Sequence, residues 1–116
     1  MYVGLGILDL ELPHVHDLKA KRRVVRSLID RLHARHRISA AETGMQERLQ
    51  RAEIGVALVT ATESQAQQLL DEVLRLADEE GEAVVLGWEP QILEEGERAN
   101  EQIASPTRSA RSSRCC

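Results

Sequence analysis

The chain alternates between two kinds of hydrophobic periodicity, and their order constrains the fold more than any single motif does. Apolar residues at every second position are typical of β-strands, whereas apolar residues three or four positions apart are typical of helices. The sequence therefore predicts the order strand, helix, strand, strand, helix, strand. The strand-like segments are residues 2–12, 38–43, 53–62 and 82–93, and the helical segments are 18–36 and 63–80.

This order predicts a ferredoxin-like α/β fold, an α+β sandwich in which a four-stranded antiparallel sheet carries both helices on one face. Two right-handed strand–helix–strand crossovers produce that arrangement. A chain of 116 residues fits one domain. We expect this domain at 1–93, followed by a disordered polar tail at 94–116, because hydrophobic periodicity stops after Leu93.

Capping residues mark the ends of both predicted helices. Asp17 precedes the first helix and has the short, oxygen-bearing side chain that N-caps favour. Gly81 follows the second helix and is expected to be its C-cap. Because the sequence contains one Trp, one Tyr and no Phe, the core must be built from aliphatic residues.

The first strand is apolar in both of its phases. The odd positions Val3, Leu5 and Ile7 are aliphatic, and the even positions from Leu8 to Leu12 are leucines. Either both faces of the sheet are covered, or a bulge near Ile7 shifts the register.

The sheet face away from the helices is predicted to consist of small and apolar residues, since Ile54, Val56 and Leu58 are expected to face the helices. Open sheet faces are normally polar, and uncovered apolar patches mark interfaces. We therefore expect a homodimer or another partner on this face. The alternative is a smooth face open to water, because glycine and alanine expose little apolar area. The predicted dimer face is Gly4, Gly6, Gly55, Ala57 and Val59.

Charge is strongly segregated along the chain. Residues 18–37 contain eight lysines and arginines but one acid, Asp30, whereas residues 54–104 contain twelve acids and two arginines. Basic residues on the outer side of the first helix would neutralise phosphates, which predicts salt-sensitive binding of nucleic acid. The alternative is a solvated helix face. The predicted nucleic-acid-binding residues are Lys19, Arg22, Arg23, Arg26 and Arg37.

Lys21 differs from these cations because helical spacing places it on the core side. We expect it to form a structural ion pair, with Glu53 as the partner and Glu11 as the other candidate. A phosphate bound at the helix N-terminus is the alternative function for this region, although Asp17 would compete for the same amide groups.

No catalytic constellation, cofactor motif or metal site is predicted. The histidines match no metal-binding spacing, and the two cysteines, Cys115 and Cys116, are adjacent at the end of the sequence. "GLGILD" lacks a third glycine and lies inside a strand, so it is no dinucleotide fingerprint. Apolar runs are too short for a membrane span, which favours a cytoplasmic protein.

Two stretches resemble a known family. "HDLKAKRRVVRSLIDRL" after the first strand and "QRAEIGVALVT" at the third resemble the YlxP-like family of small bacterial domains of unknown function, over about residues 1–93. The resemblance implies a ferredoxin-like fold and a setting with ribosomal RNA or a ribosomal subunit. The chain departs from the family in its central connection, at Gly44, Met45 and Leu49.

The sequence thus favours a non-catalytic, cytoplasmic module that associates with RNA or the ribosome through its first helix. The alternative is a homodimeric protein-interaction domain that uses its small-residue sheet face and has no nucleic-acid role.

Overall fold

A computed structural model describes residues 1–36 and 38–96 of the chain. The elements in this part follow the predicted order. Arg37 and the segment 97–116 lie outside the described residues, so the division into a domain and a tail stays a prediction. The elements are β1 (Tyr2–Glu11), α1 (Leu18–His36), β2 (Ser39–Gly44), β3 (Arg51–Thr60), α2 (Glu63–Asp78) and β4 (Val84–Glu94).

The four strands form one antiparallel sheet in the order β2-β3-β1-β4. β1 and β3 lie in the centre and pair over ten positions, from Tyr2 opposite Thr60 to Glu11 opposite Arg51. Each helix connects a central strand to an edge strand, and both helices pack against the buried face of the sheet. This architecture confirms the predicted ferredoxin-like fold.

Local hydrogen bonds set where the helices begin. Asp17 Oδ1 accepts a hydrogen bond from the Ala20 N–H at 2.7 Å, which confirms the predicted N-cap of α1. Thr62 caps α2 in the same way, since its Oγ1 accepts from the Gln65 N–H at 3.2 Å. β3 ends at Thr60, two residues before this cap, whereas the periodicity predicted a strand to residue 62.

The end of α2 differs from the prediction. The C-cap is Glu79, in a right-handed conformation with φ −77°, and its N–H donates to the Arg75 carbonyl at 3.1 Å. Because no left-handed residue closes this helix, no glycine is required there. The prediction of Gly81 as the C-cap was therefore wrong.

The core between helices and sheet is aliphatic, as the composition required. Even-numbered residues of β1 and β3 supply the sheet side, and helical residues three or four positions apart supply the other. Burying one such large side chain contributes about 1.5–3 kcal/mol. Residues exposed by at most 1% include Leu8, Leu10, Leu28, Leu32, Ile54, Leu70, Val73 and Leu76.

The continuous β1–β3 register decides which residues face the helices. Directly paired residues share one face of an antiparallel sheet. Gly4 pairs with Leu58, and Gly6 pairs with Val56, and both partners are buried. Gly4 and Gly6 therefore lie on the helix-covered face, and their assignment to a dimer face was wrong. The ladder contains no bulge near Ile7.

Packing explains why positions 4 and 6 are glycines. A Cβ on Gly4 would lie 2.8 Å from Leu58 Cδ1, and a Cβ on Gly6 would overlap the ring of Trp88. Trp88 stands on β4 opposite Leu8, so its ring covers the backbone of Gly6 inside the core. The absence of a side chain at Gly6 makes room for this ring.

Lys21 is a buried cation, with 2% of its side chain exposed. Its Nζ donates hydrogen bonds to the carbonyls of Met45 at 2.7 Å, Gln46 at 3.3 Å and Arg48 at 2.6 Å. Glu42 Oε2 lies 3.0 Å from the same nitrogen. The ammonium group therefore holds the β2–β3 loop, including Met45 with its unusual φ of 60°, against α1.

The acidic partner of Lys21 is Glu42, and the predicted partners Glu53 and Glu11 were wrong. Glu42 pairs with Ile54 in the sheet and so shares the helix-covered face. Glu53 has the opposite phase, and its Oε2 instead accepts a hydrogen bond from Thr43 Oγ1 at 2.7 Å. The phase of β3 thus keeps Glu53 away from α1.

Gly6→Ala is expected to lower the free energy of unfolding by about 1–3 kcal/mol, because the added methyl group overlaps the Trp88 ring. Urea denaturation followed by Trp88 fluorescence measures the change. Gly81→Ala is the matched control, since nothing lies within 4 Å of a Cβ placed there, and its midpoint should be unchanged or slightly higher. Equal losses in the two variants would contradict the packing of Trp88 over Gly6.

Lys21→Met keeps an unbranched side chain but leaves the loop carbonyls without their donor and Glu42 without its cationic partner. We expect a loss of about 3 kcal/mol in the free energy of unfolding. Lys19→Met, an exposed substitution on the same helix, should change it by less than about 0.5 kcal/mol. Urea denaturation of both variants tests the difference, and a Lys21→Met chain as stable as its control would refute the anchoring role.

Candidate nucleic-acid interface

Four cations form an exposed row along the first turns of α1, which we call the α1 basic stripe. They occupy relative positions 0, 3, 4 and 7, so they project from one side of the helix and extend about 10 Å along its axis. Asp17 fixes where the helix starts, and the buried leucines and valines of α1 fix which side faces solvent. The stripe consists of Lys19, Arg22, Arg23 and Arg26.

The stripe lines a shallow depression of about 680 Å³. Ser27, Asp30 and Arg31 complete its wall. Asp30 is exposed and is the acid in this lining, so the surface has an excess of positive charge.

Among residues 1–36 and 38–96, the stripe cations form no ion pair. Within the described residues, none of the four has a carboxylate within 4.0 Å. Other arginines are paired: Arg31 lies 3.4 Å from Glu79 and 2.9 Å from Glu80, which directly follow α2. Arg51 lies 2.9 Å from Asp9. The stripe is therefore available to an external anion, whereas these arginines have internal partners.

The N-terminus of α1 offers less to an anion. The Ala20 N–H already donates to Asp17, and the carboxylate of Asp17 would repel a phosphate placed there. His14 and His16 are exposed in the preceding connection. In the part of the chain that the structure describes, no three His, Cys, Asp or Glu side chains group as metal ligands would.

Positions near the end of α1 and just beyond it are less informative. His33 is tied to β2, since its Nε2 lies 3.2 Å from both the N and the O of Ala40. It therefore belongs to the contact between α1 and the sheet edge. Arg37, the fifth predicted nucleic-acid-binding residue, and the side chain of His36 lie outside what the structure describes.

The β2–β3 loop contains an exposed cation that the sequence pattern did not single out. Arg48 is exposed, and its carbonyl accepts a hydrogen bond from Lys21, which projects from nearly the opposite side of α1 to the stripe. Gln50 Nε2 donates to the Val15 carbonyl at 3.1 Å and joins the same loop to the β1–α1 connection. Only the long-range hydrogen bonds of Lys21 reveal that this loop lies against α1.

The second candidate surface is the sheet face without helices, which we call the open face. The structure places Gly55, Ala57 and Val59 on it, in the phase opposite to the buried Ile54 and Val56. β1 contributes its odd-numbered residues, and the edge strands complete a groove of about 710 Å³. The residues along the middle of the open face are Val3, Leu5, Ile7, Ala41, Gly55, Ala57, Val59, Gln91 and Leu93.

Among residues 1–36 and 38–96, no helix has the length and apolar character needed to cross a membrane.

Two solved structures are similar to the chain. A de novo designed protein with a ferredoxin fold, determined by solution NMR, has 12% sequence identity, with 94% of this chain and 99% of that chain covered and a TM-score of 0.47. A C-terminal segment of the alpha subunit of aIF2 from Pyrococcus abyssi has 16% identity, with 84% of this chain and 52% of that chain covered and a TM-score of 0.39. No curated protein matches the chain.

A family model matches residues 3–89, which include both helices, both central strands and most of β4. The match therefore covers the greater part of the chain, including the α1 basic stripe and the β1, β2 and β3 residues of the open face, while Gln91 and Leu93 lie beyond it. The chain belongs to the family described as protein of unknown function (DUF503).

Proposed function

We propose that the protein is a small, non-catalytic, cytoplasmic module that binds ribosomal RNA or a ribosomal subunit through the α1 basic stripe. The observation that carries the proposal is the set of four exposed cations without carboxylate partners among the described residues. A free surface cation displaces counterions when it meets a phosphate, whereas a cation already paired must first lose its partner.

The composition of the stripe suits phosphate groups. Three of its four members are arginines, whose planar guanidinium groups present N–H donors in pairs to phosphate oxygens. The two aromatic residues, Tyr2 and Trp88, are partly buried, so base stacking on exposed rings is not expected. The proposed binding is therefore sequence-independent and sensitive to salt.

The opposite charge on α2 would orient the module. Asp71, Asp78 and Glu79 are exposed on or beside that helix. Phosphates would repel this surface and attract the stripe, so an RNA surface would meet α1 rather than α2.

The resemblance to the YlxP-like family supports the choice of ribosomal RNA over other polyanions. Genes of that family often lie among those for transcription, translation initiation and ribosome maturation. This support is an analogy with the gene neighbourhood of that family, whereas the residues of the stripe give the physical reason to expect phosphate binding.

The triple variant Lys19→Ala/Arg23→Ala/Arg26→Ala tests the proposal. Its affinity for purified ribosomal RNA at low salt should fall about tenfold or more, because three phosphate contacts are lost. The slope of log affinity against log salt concentration should become shallower by about three. Filter binding across a salt series measures both quantities.

Arg75→Ala is the control, because this exposed α2 arginine is already paired with Glu72 and Glu79. Its RNA affinity and salt slope should match those of the unmodified chain. Circular dichroism verifies that each variant is folded. A triple variant that keeps the original salt slope and still co-sediments with ribosomal subunits would overturn the proposal.

A further inference from the structure

The open face is apolar where an uncovered antiparallel sheet is normally polar. Ile7 is 45% exposed and Val59 is 66% exposed, and both lie in its central part. Ile7 lies opposite Gly55 and Val59 lies opposite Val3, and Leu5 and Ala57 lie between them, so the apolar residues of β1 and β3 form a continuous patch rather than scattered surface residues. Continuous apolar patches of this kind mark contact surfaces.

The patch has a ridge beside a trough. The ridge is formed by Leu5 and Ile7 on β1, and the trough by Ala41, Gly55 and Ala57 on β2 and β3. The trough is the floor of the groove of about 710 Å³. Large and small residues therefore stand side by side across the middle of the sheet.

The register gives this relief a specific symmetry. Ile7 lies directly opposite Gly55, and Leu5 lies directly opposite Ala57. A two-fold axis that runs between β1 and β3, parallel to them, would exchange the ridge and the trough. Ile7 of one copy would then lie over Gly55 of the other, and Leu5 would lie over Ala57.

We propose that a second copy of this chain covers the open face and forms a two-fold dimer in which each ridge fits the trough of the other copy. β1 and β3 have ten residues each, β4 has eleven and β2 has six, so spacings of about 3.3 Å along a strand and about 4.8 Å between strands give a face of about 600 Å². Two such faces bury about 1,200 Å², which is at the lower limit for specific interfaces. The dimer is therefore expected to be weak and concentration-dependent.

Charge gives the dimer a distinctive salt response. This axis makes the strands of both copies run in the same direction, so the carboxylates of Glu53 and Glu89 approach those of the second copy at one end. Added salt screens their repulsion, and it does not weaken the apolar contact. Dimerisation should strengthen as salt rises, whereas RNA binding through the stripe should weaken, so the two proposals fail independently.

Sedimentation equilibrium of the full chain, in reducing buffer to exclude a disulfide through Cys115 or Cys116, tests the dimer. The unmodified chain should form dimers between micromolar and millimolar concentration. Ile7→Lys should raise the dissociation constant at least about tenfold, because it places an ammonium group in the apolar contact. Leu18→Lys, a matched change at a leucine 40% exposed on α1, should leave it unchanged.

Ala57→Leu separates ridge-and-trough fitting from general adhesion between apolar surfaces. This variant is more apolar but fills the trough, so the fitted dimer should weaken, whereas a merely adhesive face would associate more strongly. Val59→Lys replaces Ile7→Lys if that variant does not fold. A chain that is monomeric at millimolar concentration, or one whose association increases in Ala57→Leu, would overturn the proposal.

Discussion

The pairing of β1 with β3 runs ten residues without a bulge, and the rest of the domain is arranged around it. A slip of one residue would exchange the two faces of the sheet. The burial of Leu8 beside Ile54 on the helix-covered face disfavours such a slip, because both side chains would become exposed. The same phase of β1 turns Gly6 toward the ring of Trp88 on β4 and leaves Ile7 exposed on the other face. Core packing and the relief of the open face therefore have one cause.

Lys21 connects this framework to the surface that surrounds it. Its ammonium group is surrounded by carbonyl groups of the β2–β3 loop and by Glu42, so its charge is satisfied inside the protein. Lys19 and Arg23, two positions away on either side, project into solvent. Helical rotation thus divides neighbouring cations in the sequence into a structural group and a surface group.

Periodicity was sufficient to predict the element order, the fold, the Asp17 cap and the exposed positions on α1. It was insufficient for β1, because both phases of that strand are apolar and only the pairing with β3 selects between them. The error for Gly4 and Gly6 has this origin. The acidic partner of Lys21 depends on the β2–β3 register, which turns Glu42 toward α1, and this non-local feature is not encoded in the spacing of charges. Glu42 was missed for that reason.

The fold separates two surfaces with different chemistry. Both helices lie on one face of the sheet, so the stripe points away from the open face. A partner on one of these surfaces would leave the other surface uncovered. In a dimer formed through the open faces, the layers would follow the order helix, sheet, sheet, helix. The two stripes would then face outward on opposite sides. Each stripe would bind phosphates in the way proposed for the monomer, and a gain in avidity would arise only where one RNA reaches both sides. Dimerisation would thus change the number of binding surfaces per particle, while the chemistry of each stripe would stay the same.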